Sequence, residues 1–158
     1  MCAKSNTIQE SYHTSLCSLS RYYYGVAKLI GIDYGLKRVG VAISDESASV
    51  AFPHIILQND STLLPSLGKL IQDEKVRDVV IGESKDKDGN ENSIMKSARS
   101  FGAELERTLS VIIHYEPEFY TSVEARQAGD SGFVDAKAAA IILNSFIERS
   151  RSFSHTSP

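Results

Sequence analysis

A single carboxylate, Asp33, ends an apolar run, Leu29-Ile30-Gly31-Ile32, and a second run, Val39-Gly40-Val41-Ala42-Ile43, follows after a short Gly-containing turn. Two β-rich runs around such a turn predict a hairpin. Gly35 is expected to supply a turn residue with φ > 0. A charge in a strand fit for burial is costly unless it is paired or meets a cation. Two readings of Asp33 are open from its neighbours alone. It caps its own turn, or it is a functional carboxylate in an unusual environment.

The rest of the chain supplies the partners for this hairpin. Ser49 to Leu57 reads as a third strand, and Pro53 within it suits an edge or a bulge. Leu64, Leu67 and Leu70-Ile71 recur at helical spacing in a helix over 63–75. Asp78 to Gly82 is a short β-branched strand of the buried, parallel kind. A polar loop, 83–92, leads to a helix capped by Asn92 or Ser93 and running to about Leu109. Ser110 to Tyr115 is the last strand, and Glu116-Pro117-Glu118 its polar turn. A short helix over 122–128 is broken by Gly129 to Gly132. A final helix from Val134-Asp135 to about Ser150 carries the stripe Ala138, Ala139, Ile142, Leu143, Phe146, Ile147.

This order, three strands and then alternating helices and strands, predicts an α/β domain. An antiparallel meander feeds two right-handed parallel crossovers. The result is a five-stranded mixed sheet in the order 3-2-1-4-5, with helices on both faces. The domain is expected over 26–150. An N-terminal extension, 1–25, is rich in Ser and Tyr and has no period; 151–158 is a polar tail. Tyr22-Tyr23-Tyr24 are expected to pack at the domain edge, since base-stacking platforms come with a basic groove.

The net charge of −3 argues against a broad electrostatic grip on nucleic acid and leaves room for a local basic patch. Cys2 and Cys17 both lie in the extension and make neither a disulfide framework nor a zinc site. No apolar run approaches the ~20 residues of a membrane helix. A secretory h-region is also missing. A soluble cytoplasmic protein with no membrane partner is the expectation.

In the expected sheet, strands one, four and five point the same way, and crevices beyond their C-terminal ends are the usual ligand sites. Asp33 ends strand one, Glu83 follows strand four, Glu118 follows strand five, and Asp135 starts the last helix. Taken singly, Asp135 is a helix-capping acid worth about 1 kcal/mol. Glu83 and Glu118 are then solvated loop charges. Taken together with Asp33 they form a cluster of hard oxygen ligands suited to Mg²⁺ or Mn²⁺. Two such ions ~4 Å apart activate water and stabilise the leaving oxygen in phosphodiester cleavage. Other motifs fail. Asp86, Asp88 and Asn90 lack the later Glu of a calcium loop, and Gly35-Leu36-Lys37-Arg38 is not a P-loop. His54 and His114 read as ordinary strand histidines.

These residues resemble the YqgF/RuvX family of Holliday junction resolvases and pre-16S rRNA nucleases, over about 28–150. Gly31 to Asp45 is similar to the family's GxDxGxKRxGxAxSD signature. Val80-Ile81-Gly82 resembles its Val-Val-Gly strand, and Val134-Asp135-Ala136-Lys137-Ala138-Ala139 its VDxxAA element. The resemblance implies a ribonuclease H-like fold and a metal-dependent endonuclease. Its metal and catalytic acids would be Asp33, Glu118 and Asp135. Lys37, Arg38 and Thr121 would meet substrate. Branched DNA or an rRNA precursor would be the partner, and cutting both strands of a junction implies a homodimer.

The chain departs from the family pattern at one turn. Pro117 stands where the family has Asp, and Phe119 where it has Arg, a donor well matched to phosphate. Glu83 replaces the Leu of Gly-Leu-Pro, at a place where related resolvases carry an acid, and is expected to compensate as a catalytic residue. Two other readings remain. One is a non-catalytic RNA- or ribosome-associated module. The other is a phosphate- or nucleotide-binding domain of the actin-like kind, although 158 residues leave no room for its second lobe.

Overall fold

The computed structural model describes residues 27–84, 93–117 and 133–154. Within them the chain runs β1 (Leu29–Tyr34), β2 (Arg38–Ser44), β3 (Ala51–Gln58), α1 (Leu63–Asp73), β4 (Asp78–Glu83), α2 (Ser93–Leu109), β5 (Ile112–Pro117) and α3 (Val134–Ser154). The 5-stranded sheet has the order β3-β2-β1-β4-β5. β2 runs antiparallel to β1 and β3, while β1, β4 and β5 are parallel. The sheet is the one expected. The short helix over 122–128 and the extension 1–25 fall outside the described residues.

Alternation along the strands sorts the core into two layers. On one side Ile30, Ile32, Val39, Val41, Val79 and Ile81 pack with Leu67 of α1 and Met95, Phe101 and Leu105 of α2. On the other, Leu29, Ala42, Ala51 and Val80 pack with Ala139, Leu143, Phe146 and Ile147 of α3. Because helices cover both faces, the central strands read as unbroken apolar runs. Full burial of each large aliphatic side chain contributes about 1.5–3 kcal/mol.

The α3 side is built for close approach. A Cβ on Gly31 would lie 2.7 Å from the carbonyl oxygen of Ala139, and one on Gly40 only 2.0 Å from that of Asp135. Helix α3 therefore rests directly on the backbones of β1 and β2, beginning at its first turn.

Several local expectations are corrected. Gly35 does not adopt a left-handed φ. It is needed because a Cβ there would meet the Arg38 carbonyl oxygen at 2.7 Å. That carbonyl accepts from the Gly35 N–H at 3.1 Å and closes the hairpin. Pro53 lies both on the edge strand and at a bulge, since Val41 pairs with Ile55 and Ala42 with Pro53. Strand β5 begins two residues later than expected and continues through Glu116 and Pro117, because both pair with β4 in register. Helix α3 reaches Ser154, four residues into the segment expected as tail. No Gly or Pro stands between Ser150 and Ser154 to stop it.

Candidate active site

Asp33 lies one residue from the end of β1 and is 8% exposed. It shares its parity with Leu29 and Gly31, so its side chain belongs to the α3 side. Its antiparallel partner across the ladder is Gly40. Gly40 is also where the Asp135 backbone presses on β2. Gly40 thus has Asp33 beside it in the sheet and the Asp135 backbone above it in the first turn of α3. Any side chain at residue 40 would prop the helix away from the sheet.

Asp135 sits where a helix favours negative charge, at its N-terminal turn. Its Oδ2 lies 3.1 Å from Nε of Arg38, forming an ion pair. Arg38 opens β2 with a half-exposed side chain, and Lys37 beside it is exposed. The turn that carries them is braced from the end of β3. Asn59 donates its backbone N–H to the Lys37 carbonyl at 3.0 Å. Its Nδ2 donates to the Gly35 carbonyl at 2.7 Å. The basic pair therefore projects from a fixed backbone.

Glu83 is not brought to this face. It ends β4 with the parity of Val79 and Ile81, on the side of α1 and α2. There Arg99 of α2 donates to its Oε1 at 2.8 Å, and the Arg99 guanidinium lies 4.6 Å from the centroid of the Tyr115 ring. Burial pushes the Tyr115 hydroxyl pKa up, against the opposing charge of Arg99. Glu118 and Thr121 lie outside the described residues.

Sequence reasoning passed over Glu116. It is 2% exposed, sits on the α3 side in register with Gly82, and pairs with Arg149 of α3. Burial raises its carboxyl pKa above the usual range, and the Arg149 charge pulls the other way. Extending the alternation His114, Glu116 one residue past the expected strand end would have found it. His114 is buried too. Its Nε2 lies 2.8 Å from Asp78 Oδ1. This pair sits where β4 begins, away from Asp33.

The hairpin signature also has a structural part. The Leu29 N–H donates to Ser44 Oγ at 2.8 Å. Asp45 Oδ1 accepts from the Ser49 and Val50 N–H groups at 2.5 and 3.0 Å. The Ser47 hydroxyl and these N–H groups hold Asp45 below the usual carboxylate range. Asp45 braces the β2–β3 connection, remote from Asp33.

Among the described residues no three acids, histidines or cysteines are grouped to hold a metal ion. They supply two hard oxygen donors, Asp33 and Asp135, on adjacent elements. That donor chemistry fits Mg²⁺ or Mn²⁺ and does not suit a soft metal. No described helix is long and apolar enough to cross a membrane.

Comparison with known proteins identifies the family and the fold. Residues 27–149 match the sequence model of a family described as RuvX, Holliday junction resolvase. A protein of Maridesulfovibrio salexigens named "Putative pre-16S rRNA nuclease" is 34% identical over 133 residues, covering 77% of this chain and 98% of its own. One of the same name from Nitratidesulfovibrio vulgaris is 35% identical over 131 residues, 76% of this chain and 92% of its own. Among solved structures, Thermus thermophilus RuvC in complex with a Holliday junction substrate superposes with a TM-score of 0.55 at 11% identity. The match covers 79% of this chain and 96% of RuvC. At that identity the likeness shows the fold alone, the ribonuclease H-like fold of RuvC.

Proposed function

The chain belongs to the RuvX family of Holliday junction resolvases, and from that premise we propose that it is a metal-dependent endonuclease acting on structured nucleic acid, a four-way DNA junction or the 5′ end of a pre-16S rRNA. The observation that carries this reading is the meeting of Asp33, Asp135 and Arg38 around Gly40. Two carboxylates and a guanidinium on rigid backbone are the parts needed to hold a divalent cation next to a phosphate.

Asp33 and Asp135, with Glu118 as the third acid, would hold Mg²⁺ or Mn²⁺. When bound, such an ion activates a water and stabilises the leaving oxygen. The remaining work falls to side chains. Arg38 orients the Asp135 carboxylate through Nε, and its half-exposed guanidinium reaches toward the solvent side with Lys37. Both cations are placed to meet the phosphate backbone, with Thr121 as a further polar contact. Glu83 sits on the opposite face with Arg99. We assign it to fixing α2 against the end of β4 in place of catalysis. A junction has two strands to cut, so two copies would act together, in the cytoplasm.

The test is cleavage of labelled junction DNA and of a 5′-extended rRNA precursor by wild type, Asp33→Asn and Asp135→Asn, with Mn²⁺ and with chelator. Loss of cleavage in both variants and with chelator is expected. Mn²⁺ should also raise the melting temperature of wild type and not of Asp33→Asn. Cleavage that survives Asp33→Asn or chelator would sink the proposal. Binding without cleavage would favour the RNA-associated module. Thermal stabilisation by nucleotide would favour the actin-like reading.

A further inference from the structure

Two large apolar side chains stand exposed on the turn before β2 and at the start of α3, and nothing in the catalytic reading uses them. Leu36 is 63% exposed and Phe133 is 44% exposed. Scattered surface hydrophobics need no explanation, and Ile141 on α3 is of that kind. Leu36 and Phe133 are not scattered. Each lies two residues before one partner of the ion pair that joins β2 to α3, Leu36 before Arg38 and Phe133 before Asp135. The ion pair therefore ties together the two short segments that carry them.

Both also stand on pinned backbone. The Leu36 turn is closed by the Gly35–Arg38 hydrogen bond and braced twice by Asn59. The Phe133 carbonyl accepts from the Lys137 N–H at 3.0 Å, so Phe133 is locked to the first turn of α3. An exposed apolar side chain on a fixed base loses little conformational entropy when it is covered. The surface around the two is mixed in character. Lys37 and Arg38 follow Leu36, and exposed Lys137 follows Asp135.

We propose that Phe133 and Leu36 form a stacking platform for an unpaired nucleobase next to the scissile phosphate, so that the site selects unpaired over fully duplexed nucleic acid. The occupant follows from the chemistry around the platform. An apolar group bordered by cations and by phosphodiester-cleaving acids matches a nucleotide, whose base offers a π-face and whose backbone offers charge. In a duplex the bases are already stacked on each other, and the platform would have nothing to cover. A ring and a branched alkyl group have no directional polar atoms, so the contact is indifferent to base identity. The selectivity is for strand state. This inference rests on the nuclease reading and deepens it at the same site: of the two substrates named there, it favours the 5′ end of an rRNA precursor over a fully paired junction.

The chain contains no tryptophan, which supplies a direct probe. In full-length Phe133→Trp the new indole is the sole tryptophan emitter, and stacking on a base quenches it. Binding is read by anisotropy in chelator, so that cleavage does not interfere. The probes are a labelled RNA hairpin with an unpaired 5′ tail and the same hairpin made blunt. The tailed hairpin should quench the Phe133→Trp emission, and the blunt one should not. Phe133→Ala should weaken binding of the tailed hairpin roughly tenfold and leave the blunt one nearly unchanged. In Mn²⁺ the same variant should raise KM on the tailed substrate more than it lowers kcat. Leu36→Ala, on a separate element, should weaken tailed binding in the same sense.

Emission that stays constant while the tailed hairpin saturates the protein overturns the proposal. So does equal weakening of both hairpins by Phe133→Ala. Failure of the nuclease reading looks different: Asp33→Asn would still cleave, or wild type would bind neither hairpin. The second of these outcomes removes the platform as well.

Discussion

Arg38 Nε lies 3.1 Å from Asp135 Oδ2, an ion pair that ties the start of β2 to the first turn of α3 across Gly40. The pair joins two segments nearly a hundred residues apart. It holds an acid of the site in place while leaving the guanidinium half-exposed.

Arg38→Gln is expected to separate stability from activity. The pair is half-exposed, so its loss should cost under about 1 kcal/mol in chemical denaturation. Cleavage should fall by about 10- to 100-fold, because the variant loses a phosphate-matching donor and the orientation of Asp135. Arg38→Lys should recover only part of it. A parallel fall in stability and activity would mean that the residue is merely structural.

Gly40→Ala should be among the most damaging single-methyl changes in the chain. The added carbon would lie 2.0 Å from the Asp135 carbonyl oxygen, which is backbone and has no rotamer to change. A loss of about 3 kcal/mol or more is expected, with cleavage abolished at temperatures where the protein stays folded. Gly68→Ala in α1 is the control. Its new methyl meets the end of the Leu109 side chain at 3.2 Å. The helix gains up to about 1 kcal/mol from losing a glycine. Its melting temperature should stay close to wild type.

Glu116 and Arg149 should respond unequally to substitution. Burial raises the Glu116 carboxyl pKa despite Arg149. Its contribution to stability is thus fully present below its unfolded-state pKa and is lost as pH rises through the raised folded-state value. Glu116→Gln should remove that decline, so the stability difference from wild type should shift in favour of the variant between mildly acid and neutral pH. Arg149→Met leaves the buried carboxylate unpaired and should cost about 1–3 kcal/mol at neutral pH. Combining it with Glu116→Gln should restore most of the loss, measured as a double-mutant cycle by urea denaturation.

Glu83→Gln should keep metal-dependent cleavage within a few-fold of wild type, because its side chain is committed to Arg99 on the far face. Arg99→Ala should loosen the α2 end of the sheet, seen as faster amide exchange at Glu83 and Tyr115. A loss of cleavage in Glu83→Gln as large as in Asp33→Asn would return Glu83 to the catalytic set.

The sheet order was legible because its strands differ in length, composition and punctuation, and each crossover had one sensible hand. The pairing of Asp33 with the start of the last helix was legible only as a tendency of the topology. Glu116 was missed because a strand end is set by ladder pairing. Pro117 looked like a stop signal although β5 is an edge strand that tolerates it. Gly35 was read for its dihedral freedom, while the structure requires its missing Cβ. The Ser44-Asp45 end of the signature, which looks as chemical as Asp33, braces a loop.

The amino-acid sequence by itself determined the element order, the mixed sheet and the identity of the acid-bearing hairpin, because local periodicity and turn chemistry are written residue by residue. Tertiary structure alone decided which face Asp33, Glu83 and Glu116 occupy. Side chains on a strand alternate, so a shift of one position sends Glu83 to Arg99 while Asp33 stays with α3. It also decided that Gly40 is the hinge of the site, because only the packed helix shows that the Asp135 backbone needs the space a side chain would fill.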